Sequence, residues 1–180
     1  MLRPQDIMVL CWQLAENQPV WRYNDLAVAL SISASEAHKS VRRLIGAKLL
    51  SQTHSKNLGR LASDFRLAIS ATREFLVHGV KYAFYPERGP IVRGMPTGIA
   101  APAFRAQFSI SSEFPVWPDE LGEARGYALK PLYPTAAAAS RNNPGLYALL
   151  AAIDALRDGR ARERKVGERK IDELISAYSQ

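Results

Sequence analysis

A single cysteine, Cys11, stands in a chain of 180 residues, and one thiol cannot form an intramolecular disulfide. That excludes a disulfide-stapled secreted scaffold and points to a reducing compartment. Histidine is nearly as scarce, with three in the chain, and no second His or Cys lies at metal-ligand spacing, so no metal site is expected. No apolar run approaches the length of a membrane helix, and the N-terminus lacks a signal-peptide pattern. A cytoplasmic protein with no membrane partner is therefore expected. A glycine-rich phosphate loop before a helix is missing, as is a serine in a nucleophile elbow. No cofactor is implied, and the chain is expected not to be an enzyme.

What is present is an ordinary hydrophobic share, 47%, and a surplus of bases, 24 Lys and Arg against 17 acids, for a net charge of +7. The length suffices for one large or two small domains with a sizeable core. The charge favours a polyanionic partner but does not choose among DNA, RNA, anionic lipid and an acidic protein. Motifs have to make that choice.

The stretch from Tyr23 to Leu50 reads as a short helix, a tight turn and a second helix. Leu26, Ala27 and Leu30 give the first helix an apolar face, with Ala27 small enough for a close crossing, and Asn24 or Asp25 can cap it. The turn falls at Ser31, Ile32 and Ser33. Ser33 and Glu36 have the spacing of a capping box, which starts the second helix near Ala34. Ala37, Val41, Leu44 and Ile45 recur at helical spacing and belong to the core. Ser35, His38, Lys39, Arg42 and Arg43 are left toward solvent, as donors suited to phosphates and base edges. Upstream, Ile7, Leu10, Cys11 and Leu14 form the stripe of another helix, and Pro19 to Trp21 can open a short strand. Downstream, Leu49 to Thr53 and Arg60 to Ser63 can pair around a loop at 55–59.

These features resemble a winged helix-turn-helix of the MarR-like kind over residues 5–63. The family pattern has a small residue at the position of Ala27 and a glycine at the position of Ser31, a departure that costs about 1 to 2 kcal/mol if Ser31 takes a left-handed backbone. The resemblance implies that the loop is a wing, with Lys56 and Arg60 near the DNA backbone or minor groove, and that helices flanking the winged domain make a homodimer.

Past residue 63 the character changes. Ser63 or Asp64 can cap a helix carrying Phe65, Ile69, Thr72 and Leu76 on one side, which Gly79 would end. Val80, Tyr82 and Phe84 then alternate with Lys81, Ala83 and Tyr85 as a strand would. From Pro86 to Pro102 seven prolines and glycines read as a broken loop. His78, Lys81, Tyr82, Glu87, Arg88 and Arg93 offer polarity for an anion pocket or partner face. Each also has a duller account: His78 as a helix end, Lys81 and Arg88 as surface charge, Glu87 paired with Arg88 or Arg93. Phe108 with Ile110, and Tyr127 to Leu129, are expected as short strands, and Trp117 as core or an exposed anchor. Thr135 can cap an alanine-rich turn. Asn143 caps a helix with Pro144 at its first position and Leu146, Leu149, Leu150, Ile153 and Leu156 on one face. After Gly159 a basic final helix follows, whose mixed charges suit solvated pairs, a second nucleic-acid contact or an acidic partner. The pieces HGVKY, LYP, LYALL and GRARER resemble a prokaryotic winged-helix family that supplies no established activity.

The fold expected is α+β, a winged DNA-binding domain over 1–63 followed by an α/β region over 64–180 for dimerisation, ligand or partner binding. The function expected is a sequence-specific transcriptional regulator, a dimeric repressor on double-stranded DNA. Ser33 and Ser35, His38, Lys39 and Arg42 would face the groove, and Arg43 and Lys48 would hold phosphates. The competing reading is an antitoxin-like protein that neutralises a protein partner and represses its own promoter.

Overall fold

The structure, a computed structural model, describes residues 1–17, 20–53, 63–108 and 113–178. It is mixed α+β, with more helix than strand. Helix α1 (Pro4–Glu16) begins on a proline, which needs no amide partner in the first turn. The expected stripe of Ile7, Leu10, Cys11 and Leu14 is buried, but so are Met8, Val9 and Trp12. The reason is that α1 is packed on several sides, by α2 (Tyr23–Leu30), α3 (Ala34–Gly46) and two C-terminal helices. A helix covered all round reads as buried rather than amphipathic.

Helix α2 starts two residues earlier than a cap at Asn24 would place it. Arg22 is the cap residue, and the Asp25 carboxylate accepts its backbone N–H at 3.1 Å. Ser33 caps α3, its Oγ accepting from the Glu36 amide at 3.1 Å, and Ala37, Val41 and Leu44 are buried on the inner face. Between the helices Ser31 does take the left-handed backbone, with φ 52°. Strands β1 (Val20–Trp21), β2 (Leu50–Thr53) and β3 (Ser63–Leu67) make an antiparallel sheet in the order β1-β3-β2. Thr53 lies opposite Asp64 and Leu50 opposite Leu67, and Trp21 stacks on Phe65 at 4.0 Å.

Phe65 is thus a strand residue, and the helix expected from Ser63 or Asp64 starts later, at Ile69. Pairing with β1 and β2 holds residues 63–67 extended. Nor does Gly79 end the helix. Helix α4 (Ile69–Glu74) passes through a wider π turn at Phe75–Gly79 into α5 (Val80–Ala83). The alternation at 80–85 is therefore helix end, not strand. Arg157 fixes that end, its Nε donating to the Phe84 carbonyl at 2.6 Å.

The segment rich in proline and glycine is also more regular than expected, since β4 (Arg88–Pro96) is a nine-residue strand. It closes a small three-stranded barrel with β5 (Pro115–Pro118) and β6 (Ala124–Leu129). The prolines are accommodated at an irregularity between Arg88 and Ile91 and at the strand ends. The strands approach so closely that a Cβ on Gly122 would stand 2.2 Å from the Gly94 carbonyl carbon, and one on Gly126 would stand 2.1 Å from the Phe114 oxygen. Trp117 is core. Phe108 follows a turn rather than lying in a strand, and Ile110 is outside the described residues.

Helices α6 (Ala136–Arg141), α7 (Pro144–Asp158) and α8 (Ala161–Tyr178) complete the chain. Asn143 caps α7 as expected, accepting from Leu146 N–H at 2.9 Å. Thr135 does not cap α6; its hydroxyl donates instead to the Leu30 carbonyl at 2.7 Å, on the end of α2. Both α7 and α8 pack on α1, so buried side chains from before and after residue 63 form one hydrophobic cluster. Tyr178 adds a polar tie, accepting from Gln13 Nε2 at 3.4 Å and from the Leu67 amide at 3.5 Å. Among the described residues no helix is long and apolar enough to cross a membrane.

Candidate functional site

Burial of Ala37, Ser40, Val41 and Leu44 turns the opposite side of α3 outward. Ser35, His38, Lys39 and Arg42 are exposed there, as the sequence predicts. Lys39 and Arg42 make no ion pair among the described residues. His38 is steadied by Tyr23 at the start of α2, the rings lying 5.0 Å apart at 53°. Ser33 and Lys48 bracket this face, both exposed, Lys48 with a left-handed φ of 59° in the turn leading to β2.

Arg43 belongs elsewhere. Its Nε and Nη2 donate to the two oxygens of Asp6 at 2.8 and 2.7 Å, and Nη2 also reaches Ser40 Oγ at 3.0 Å. The Asp6 side chain is fully buried, and its Oδ2 additionally accepts the Arg3 amide at 2.7 Å. One carboxylate therefore caps α1 and fixes α3 to it. The expected phosphate role of Arg43 does not fit a guanidinium committed to the interior in this way. Glu36 is drawn aside as well, since its Oε1 accepts from Tyr133 at 3.2 Å. This acid is thus held toward the C-terminal half.

Lys56 and Arg60, expected in the wing, lie outside the described residues. The six residues picked out between 78 and 93 do not converge. His78 is exposed beside a shallow cleft with Ala71 and Phe75. The Lys81 ammonium stands 5.1 Å from the ring of the exposed Tyr82. Glu87 pairs with Lys130 at 2.7 Å, not with a neighbouring arginine, and Arg93 is exposed on β4.

Arg88 alone of these borders a cavity, of about 610 Å³ and open to solvent on one side, between the barrel, the 98–100 turn and the junction of α7 with α8. Its Nε donates to Asp158 Oδ1 at 2.6 Å while its guanidinium lies over the Tyr127 ring at 4.8 Å. Tyr127 donates to the other Asp158 oxygen at 2.8 Å. Burial, and then that carboxylate, raise the Tyr127 hydroxyl above its ordinary pKa. At the back of the cavity the buried Asp154 accepts from Thr97 and Trp117, each at 2.7 Å, and from Arg157 at 2.6 Å. Burial raises the Asp154 pKa, and these three donors only partly offset it. Phe108, Glu113, Phe114, Arg160 and Glu163 complete the walls. A reading of the sequence cannot find this set, because its members come from five separated segments and share no local motif.

No group of three or more His, Cys, Asp or Glu among the described residues is arranged to hold a metal ion. No protein-family model matches the chain, and no curated protein or solved structure is significantly similar to it.

Proposed function

We propose that this protein is a double-stranded DNA-binding transcriptional regulator. In this reading residues 4–67 are a winged helix-turn-helix of the MarR-like kind, with α3 in the major groove. The observation that carries it is the outer face of α3, where exposed Lys39 and Arg42, which have no acidic partner among the described residues, stand beside Ser35 and His38 on a helix whose opposite face is buried. The order of helices and the β1-β3-β2 sheet support it. Ser35, His38, Lys39 and Arg42 read base edges or phosphates, and Lys48 contacts the backbone. Arg43 acts from behind, holding α3 in place through Asp6. A dimer would occupy half-sites about 34 to 36 Å apart and repress by covering an operator.

The test is fluorescence anisotropy of the purified chain on a duplex from its own upstream region, against a random duplex, at two salt concentrations. Lys39→Ala with Arg42→Ala should weaken specific binding at least tenfold and flatten the salt dependence by about one power of salt for each phosphate that is no longer neutralised. Thermal stability should stay within about 2 °C, since exposed side chains change stability by at most about 0.5 kcal/mol. A double variant that binds the specific duplex normally removes α3 from the interface.

A further inference from the structure

We propose that the outer stripe of α8 is a second, sequence-independent site for double-stranded DNA, separate from the outer face of α3. Arg162, Lys165 and Arg169 follow one another at three and four residues, so they share one side of the helix. All three are exposed, as is Arg164. From Arg162 to Arg169 the stripe runs about 10 Å at 1.5 Å per residue, or three steps of about 3.4 Å along a DNA strand. Helix α8 packs chiefly on α7, α1 and α4, which makes this stripe a surface of its own.

A helix of mixed charge ordinarily neutralises itself through pairs three or four residues apart. Here the acids are engaged elsewhere. Glu163 accepts the Arg160 amide at 2.6 Å, at the start of the helix, and Glu168 and Asp172 both hold Arg73 of α4, at 3.1 and 2.6 Å. Glu173, the remaining acid of α8, pairs with Lys170. Arg162, Arg164, Lys165 and Arg169 make no ion pair among the described residues, and the segments outside these contain no Asp or Glu that could supply one. Arg162 lies over the Phe108 ring at 5.3 Å, a contact that orients the guanidinium without cancelling its charge.

The kind of polyanion follows from what the stripe lacks. Val166, Ile171 and Ile175 are buried, so the apolar side of α8 is not free to sink into a bilayer or to anchor a protein interface. Single-stranded bases need open aromatic faces for stacking, and Phe108, the ring beside the stripe, already carries Arg162. Between residues 161 and 170 no Ser, Thr, Asn or Gln is present to engage a ribose 2′-hydroxyl. Charge and N–H donors remain, which suffice for a DNA backbone, and the guanidinium fork matches phosphate oxygens.

The site does not rest on the regulator reading, and its probe is a short random-sequence DNA duplex followed by fluorescence anisotropy. In the full chain, Arg162→Ala, Lys165→Ala and Arg169→Ala together should weaken that duplex at least tenfold at low salt. The slope of log affinity against log salt should fall by about 2 to 3, at about 0.9 for each phosphate no longer neutralised. The same loss should appear in the Lys39→Ala, Arg42→Ala background, which isolates α8 from α3, so a failure of the regulator reading leaves this result intact. Arg162→Lys with Arg169→Lys should keep most of the slope, because the charge is retained, and circular dichroism should be unchanged in every variant. Random-duplex affinity unaltered by the triple substitution would overturn the proposal. So would tighter binding of an RNA duplex, or displacement of the DNA by polyglutamate or phosphatidylserine vesicles as effectively as by unlabelled duplex.

Discussion

Replacing Arg43 by alanine should damage the fold more than replacing its partner Asp6, although both changes break the same pair. The asymmetry follows from what each leaves behind. Without Asp6, the Arg43 guanidinium keeps its bond to Ser40 at 3.0 Å, and its side chain is 20% exposed, so water can reach it. Without Arg43, the fully buried Asp6 carboxylate keeps only the Arg3 amide, at 2.7 Å. Stranding a buried charge costs about 3 to 5 kcal/mol, whereas loss of charge-assisted hydrogen bonds to a group that can rehydrate costs about 1.5 to 3 kcal/mol. For a chain of this size Arg43→Ala should lower Tm by about 6 to 20 °C. The double variant should fall short of the sum of the single effects, with a coupling of about 2 kcal/mol. Urea unfolding followed by tryptophan fluorescence measures all three, because Trp12 and Trp21 are buried in this part of the core. If Arg43→Ala unfolds within about 0.5 kcal/mol of the parent, or the two single effects simply add, then the pair does not bind α3 to α1 and Arg43 returns to the candidate DNA contacts.

Three further outcomes are expected. Ser31→Gly should stabilise the chain by about 1 kcal/mol, a rise of roughly 2 to 4 °C in Tm, since Ser31 takes a φ of 52° that glycine adopts freely. Gly122→Ala should destabilise by about 3 kcal/mol or more in urea unfolding, because its Cβ would meet backbone at 2.2 Å rather than a side chain that could turn away. Burial raises the Cys11 thiol above its ordinary value near 9, so the unfolded chain gives up that proton first. The stability this group contributes is complete below pH 9 and declines above it, by up to about 1.4 kcal/mol per pH unit. Unfolding free energies measured at pH 9 and 10 should therefore fall less steeply in Cys11→Ala than in the parent. Equal slopes would mean that the thiol is not buried.

The elements legible in the sequence are those whose signals are local. Ser33 with Glu36, and Asn143 with Pro144, announce helix starts through atoms three residues apart. Ala37, Val41 and Leu44 declare a buried face by spacing alone. Elements held by distant partners are not legible in this way. The strand β4 looks like a broken loop until β5 and β6 are placed beside it. The 80–85 stretch has strand-like alternation, and only Arg157, more than seventy residues away, reveals a helix end. The same limit governs the site. Lys39 and Arg42 follow from the helix face, but spacing cannot distinguish Arg43 from them, because what sets it apart is a carboxylate on α1. Thr135 likewise looks like a cap until the Leu30 carbonyl claims its hydroxyl.

The close approach of Gly94 and Gly122, with Gly126 pressed against the Phe114 carbonyl, bears on how this sequence can drift. Helix faces tolerate one apolar residue for another and surface charges come and go, but a backbone approached to van der Waals distance by another backbone admits no side chain. Chains descended from a common ancestor with this barrel should therefore still carry glycine at these three points after most other identities have changed. A search keyed to those glycines and to the tryptophan of β5 would reach more distant kin than one weighted toward the basic helix.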